Sequence, residues 1–135
     1  MTTFDEVYEY FNDISQGIDN YYLPNNIDGQ KRLISNGRRL FNNKLFKNVQ
    51  QDNLTEIFDK VLSENEIMLM AHCMRLYCLN RMYDDFISIY SMFQKEVGFK
   101  DYKAQCDGRL SNIQFETKNI DDLVFSMLND IDGEV

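Results

Sequence analysis

The chain has 135 residues, 44 % of them apolar with ten Phe and eight Tyr, and a formal net charge of −8. That is enough apolar material for one packed core, so disorder of the whole chain is excluded and a single domain over residues 1–135 is expected. No stretch reaches the roughly 18 apolar residues of a membrane span, since even the run from Ile67 to Leu79 is broken by His72 and Arg75.

Thr3 and Glu6 have the spacing of a capping box. Behind them Phe4, Val7, Tyr8, Phe11, Ile14 and Ile18 recur at intervals of three and four, the stripe of a first helix ending near Gly17. Asp19 to Asn26, with the chain's one proline at Pro24, reads as a loop. A second helix is expected after Asp28, with Leu33, Ile34, Gly37, Leu40, Phe41 and Leu45 inward. Gly37 in its interior costs about 1 kcal/mol against Ala, which calls for a close backbone contact or a bend there. Asn42, Asn43 and residues 48–53 form a polar exit.

Asn53 with Glu56 reads as the next cap pair, giving a third helix through Leu54, Ile57, Phe58, Val61 and Leu62. Ser63 with Glu66 caps a fourth, apolar nearly all round and therefore central. Phe86, Ile89, Tyr90, Phe93 and Val97 define a fifth, stopped by Gly98. A sixth falls within Asp101 to Glu116. Asn119 caps a seventh, with Asp121 and Asp122 at the positive end of its dipole and Ile120, Leu123, Val124, Met127, Leu128 and Ile131 as its stripe. Asp130 to Val135 is an acidic tail. No segment alternates with period two, so no sheet of consequence is expected.

The segment from Tyr77 through Arg81, Met82, Asp84 and Asp85 to Met92 resembles the turn between the two helices of a tetratricopeptide or pentatricopeptide hairpin. Asn119 to Leu123 resembles Met82 to Phe86 a second time. The likeness covers at most half of the chain, short of the three repeats a solenoid needs. It implies antiparallel helical hairpins.

Charge falls into three blocks. Residues 1–28 carry six acids (Asp5, Glu6, Glu9, Asp13, Asp19, Asp28) and no base. Residues 29–51 carry six bases (Lys31, Arg32, Arg38, Arg39, Lys44, Lys47) and no acid, while 52–135 are acidic again. Two readings compete for the basic helix. It can contact a polyanion, with Arg38 and Arg39 clamping phosphates. Or it can pack antiparallel to the first helix, with opposite charges flanking a shared apolar seam. The second is preferred, because the equal and opposite totals suit it and a net charge of −8 repels phosphates at long range.

Catalytic chemistry finds no support. His72 is the one histidine, and as helix neighbours His72 and Cys73 point about 100° apart. Cys73 and Cys78 lie about 140° apart around a helix, so a Cys₃His zinc site with Cys106 is disfavoured. Nucleophile elbows, glycine-rich phosphate loops and calcium loops are not found in the sequence. Asp84-Asp85 and Asp121-Asp122 read as caps, and the methionines from Met68 to Met92 as core filling. No catalytic residue, cofactor or metal ligand is assigned.

The expectation is therefore an all-α, compact single-domain bundle of about six or seven helices arranged as antiparallel hairpins. Its segments are the acidic first helix and loop (1–28), the basic helix (29–51), an apolar helical core (52–129) and the acidic tail (130–135). The odd number of cysteines and an N-terminus without the pattern of a secretory signal point to the cytoplasm. The expected function is non-catalytic binding of another protein, with nucleic-acid-processing proteins among the candidates, by a stoichiometric inhibitor, an immunity or anti-defence protein or an adaptor of the kind viruses and mobile elements encode. The alternative is a nucleic-acid-binding or assembly component that uses residues 31–47. No membrane partner is expected.

Overall fold

The computed structural model describes residues 1–90 and 99–133. Four α-helices appear among them: α1 (Phe4–Asp13), α2 (Ile27–Leu45), α3 (Glu64–Tyr90) and α4 (Phe99–Gly133). A short 3₁₀ turn, Asn20–Tyr22, joins α1 to α2, and a two-stranded antiparallel sheet, β1 (Gln51–Asp52) and β2 (Ile57–Phe58), joins α2 to α3.

The capping box of α1 forms as the sequence implies. Glu6 N–H donates to Thr3 Oγ1 at 3.3 Å and Thr3 N–H donates to Glu6 Oε2 at 3.1 Å. Phe4, Val7 and Phe11 are buried on the inward face. Gly17, at φ +85°, turns the chain away. Asn26 then caps α2, its Oδ1 accepting from Gly29 N–H at 2.7 Å. At mid-helix Gly37 lies against α3, where Met70 and Met74 leave no room for a β-carbon. Close approach, not a bend, is the use of this glycine.

The third expected helix is replaced by the hairpin. Asp52 Oδ1 accepts from Leu54 N–H at 2.9 Å and Thr55 N–H at 3.4 Å, and the main chain of Glu56 reaches φ +58°. This side-chain capture of the backbone competes with helix. The strand edge beside it is also taken. Phe4 N–H donates to Glu56 O and Phe58 N–H to Thr2 O, both at 2.9 Å, so the N-terminal residues extend the sheet. Leu62 N–H completes the attachment by donating to the buried Thr2 hydroxyl at 2.7 Å. Leu54 and Val61, expected on an inner stripe, are exposed.

The Ser63–Glu66 box starts α3, with Glu66 N–H donating to Ser63 Oγ and Ser63 N–H to Glu66 Oε1. The helix then runs through residues 82–85 without the turn that the repeat resemblance implies. Leu79, Met82 and Phe86 stay on one buried face, while Asp85 accepts a hydrogen bond from Tyr22 in place of capping anything. Likewise α4 covers both the sixth and the seventh expected helices, and Asn119 sits in its interior. Among the described residues the six or seven helices expected thus become four, because the third is a hairpin and the acid pairs that resemble caps lie within longer helices.

Central α3 packs against α1, α2 and α4. Phe11, Phe41, Phe58, Met70, Met74 and Phe86 are buried as expected. Tyr77 and Leu123 are only half-buried. Phe93, Val97 and Gly98 lie outside the described residues, as do the last two residues of the acidic tail, whose first part continues α4. No described helix is long and apolar enough to cross a membrane.

Candidate functional site

The six basic residues of 31–47 do not act as one surface. Arg38 is turned inward: Nε donates to Gln51 Oε1 at 2.8 Å and Nη1 to Val49 O at 3.0 Å. Asn42 holds both polar groups of Val49 at 3.0 Å. Together they bind the strand segment to α2. Burial and the neighbouring Arg39 lower the pKa of Arg38 from its ordinary value. Lys44 pairs with Asp121 of α4 at 2.9 Å and Lys47 with Glu66 of α3 at 2.7 Å. Lys31 reaches Glu56 of the hairpin at 3.8 Å.

Among the described residues, then, no ion pair joins the basic helix to the acids of residues 1–28. The expected charge seam between α1 and α2 does not form. The cations instead fasten elements that follow α2 in the chain. Arg32 and Arg39 remain exposed and have no ion pair among the described residues.

A second polar cluster lies inside the bundle. Glu116 of α4, whose side chain is 2 % exposed, stands with Oε1 2.6 Å from His72 Nδ1 and accepts from Arg75 Nη1 through Oε2 at 2.7 Å. Arg75 also donates from Nη2 to Gln16 O at 3.1 Å, bringing in the chain after α1. Tyr10 meets the His72 ring edge-on. Among the described residues no buried side-chain polar atom lacks a partner, and the cluster ties α3 to α4 through both oxygens of Glu116. The sequence contained a signal for it: a histidine and an arginine one turn apart on an apolar helix, and an acid on the Ile113–Ile120 stripe.

The thiols are spread apart in chemistry as well as in space. Burial pushes the Cys73 thiol up to about 12 and the Cys78 thiol up to about 11. Cys106, on α4, is partly exposed. Among the described residues no three His, Cys, Asp or Glu side chains gather as metal ligands would.

The remaining concentration of polar chemistry is a cleft of about 480 Å³ between the 3₁₀ loop, the first turns of α2 and the middle of α3. Arg81 lies in its wall, its guanidinium 5.5 Å from the Tyr22 ring centre and 6.0 Å from that of Tyr77. Tyr22 is itself held by donating its hydroxyl to Asp85 at 2.8 Å. Burial and that acceptor raise the Tyr22 phenol to about 12. Neither Arg81 nor Tyr22 was singled out from the sequence, where one arginine and one tyrosine 59 positions apart carry no pattern.

Fold and site define a small helical protein whose interior polar groups are mutually satisfied and whose open chemistry is a cleft of arginine and tyrosine. The chain belongs to the YomZ prophage protein family, matched over residues 1–129. It is 26 % identical over 126 residues to the SPbeta prophage-derived uncharacterized protein YomZ of Bacillus subtilis (strain 168), covering 93 % of this chain and 95 % of that protein. No solved structure matches it. The family gives the chain a mobile-element origin.

Proposed function

We propose that this prophage protein is a non-catalytic binder of another protein, acting as a stoichiometric inhibitor, an immunity or anti-defence factor or an adaptor. The observation that carries the reading is the use made of the basic helix. Lys31, Arg38, Lys44 and Lys47 are spent on the protein's own hairpin, α3 and α4, leaving a surface dominated by acid. A surface of that kind complements a basic face on a partner and raises the rate of encounter. His72 spends Nδ1 on Glu116, and two of the three thiols are buried, which supports a role without covalent chemistry.

The second reading is a nucleic-acid or assembly function for residues 31–47. Arg32 and Arg39 are what favours it, since both stay exposed. Two cations are few for phosphate binding against a net charge of −8.

Affinity purification from a Bacillus lysate, with and without nuclease, separates the two. A protein retained after nuclease treatment, and forming a complex when both purified components are mixed, is the expected result. Retention that vanishes with nuclease, or an absence of any reconstituted complex, would falsify the protein-binding reading.

A further inference from the structure

We propose that the cleft between the 3₁₀ loop, α2 and α3 receives an acidic segment of the partner protein, with an Asp or Glu side chain of that segment held by Arg32 and Arg81. The inference rests on the protein-binding reading and says where one contact is made and by what chemistry.

Arg32 and Arg81 come from different helices and are, among the described residues, the only charged side chains that line the cleft. Neither has an ion-pair partner among the described residues. For Arg81 this follows from a local exchange. Asp85 lies four positions on, where a helical acid would pair with it, but it accepts the Tyr22 hydroxyl instead. The guanidinium is left over the rings of Tyr22 and Tyr77, which hold it in place without neutralising it. A planar, immobilised fork of N–H donors matches a carboxylate and loses little entropy on binding it.

The rest of the cleft suits a peptide. Leu33 and Cys78 make a buried apolar floor. Pro24 and the tyrosines stand around it, and Asn36 adds a carboxamide. Tyr21, 84 % exposed, meets Tyr22 edge-on at 5.1 Å and projects a free aromatic surface at the rim. Tyrosine and arginine around an apolar floor is the composition of a binding hot spot. The volume of about 480 Å³ has room for a few side chains.

Charge outside the cleft decides between a peptide and a nucleic acid. Asp19 and Asp28 flank the loop along the chain, and Asp84 and Asp85 follow Arg81. A strand with a phosphate at each nucleotide would set its neighbouring phosphates against these acids, whereas one or two carboxylates between apolar residues fit inside them.

The test selects displayed random short peptides on the immobilised full chain and measures the enriched ones by fluorescence anisotropy. Enrichment of Asp or Glu beside Tyr, Phe or Leu is expected. R32Q and R81Q should each weaken the selected peptide about tenfold, as should Asp→Asn or Glu→Gln in the peptide. Y21A, at a largely exposed rim position, should weaken it about threefold and supplies a variant that removes no buried side chain. Unchanged far-ultraviolet circular dichroism and melting of each variant assign the losses to the contact. Peptides without acids, peptides that bind R81Q as tightly as wild type, or displacement by a short oligothymidylate or inorganic phosphate at lower concentration than the peptide overturn the proposal. If R81Q still retains a host protein with wild-type affinity while no acidic peptide is selected, the cleft assignment is wrong and the protein-binding reading stands.

Discussion

Gly37 of α2 faces Met74 of α3 so closely that a β-carbon at position 37 would overlap the methionine Cγ and crowd the Met74 nitrogen at 3.2 Å and the Met70 oxygen at 3.3 Å. Two helices meet there at backbone distance. Met74 and Met70 are both fully buried, so neither can swing out to make room.

Substituting Gly37 with Ala should therefore destabilise the protein, although Ala is the better helix former. The overlap costs about 1–3 kcal/mol, against about 1 kcal/mol gained in propensity. Met74→Ala alone should cost about 2–5 kcal/mol through its cavity. In the double variant the new methyl group occupies part of that cavity, so the two costs should add to less than their sum. Urea denaturation of the four proteins measures the coupling, and strict additivity would show that the contact is looser than described.

Local chemistry is what the sequence conveyed well. The boxes Thr3–Glu6 and Ser63–Glu66, and the close contact at Gly37, each depend on residues within one turn or on a single special side chain. Where the outcome depended on distant partners, the same signals misled. Residues 54–62 have a helical stripe, yet Thr2 and Thr3 offer a sheet edge and Asp52 captures the turn. Asp85 looks like a cap until Tyr22, 63 residues away, takes it as an acceptor. The six basic residues were visible as a block, but their distribution over Glu56, Val49, Asp121 and Glu66 is a property of the fold.

Glu116 should be the most sensitive polar residue in the chain. Glu116→Ala leaves Arg75 and His72 half-buried without their shared acceptor, a loss of about 3–5 kcal/mol. Glu116→Gln keeps one acceptor oxygen and the volume, and should cost less. Thermal melts of both variants at neutral pH check the order; equal losses would mean that the carboxylate charge alone, and neither the volume nor the remaining acceptor oxygen, holds α4 against α3.

Thiol accessibility follows from the same packing. Of three cysteines, Cys73 and Cys78 are buried with their pKa values raised, while Cys106 is partly exposed. A chromogenic disulfide reagent at about pH 8 should label one thiol quickly and the other two only on denaturation, because the thiolate is the reacting species. Rapid labelling of all three in the native protein would show that α3 opens far more readily than its burial implies.

A pH effect is expected from Glu66. Burial pushes its pKa up, but the hydrogen bonds from Lys47 and Ser63 outweigh this and bring it below its ordinary value of 4.5. A carboxyl with a depressed folded-state pKa stabilises the protein above 4.5 and loses that contribution as pH falls through the folded value. Stability should accordingly decline on acidification from about pH 5 to 3, and less steeply in Lys47→Met. The difference is expected to be about 1 kcal/mol or less, since Lys47 is partly solvated. Parallel slopes for the two proteins would remove Lys47 as the cause.

Arg38 and Arg39 are adjacent in sequence and opposite in use, which makes them the sharpest probe of the basic helix. Arg38→Gln gives up the bonds to Val49 O and Gln51 that bind the strand to α2, and should cost about 1–3 kcal/mol. Arg39→Glu, at an exposed position, should stay within about 0.5 kcal/mol of wild type. Neither the wild type nor either variant is expected to bind duplex DNA or single-stranded RNA at micromolar concentration when anisotropy is followed between about 50 and 200 mM salt. Salt-sensitive binding by the wild type, lost in the stable Arg39→Glu protein, would restore the nucleic-acid reading, because no folding defect could then account for the loss.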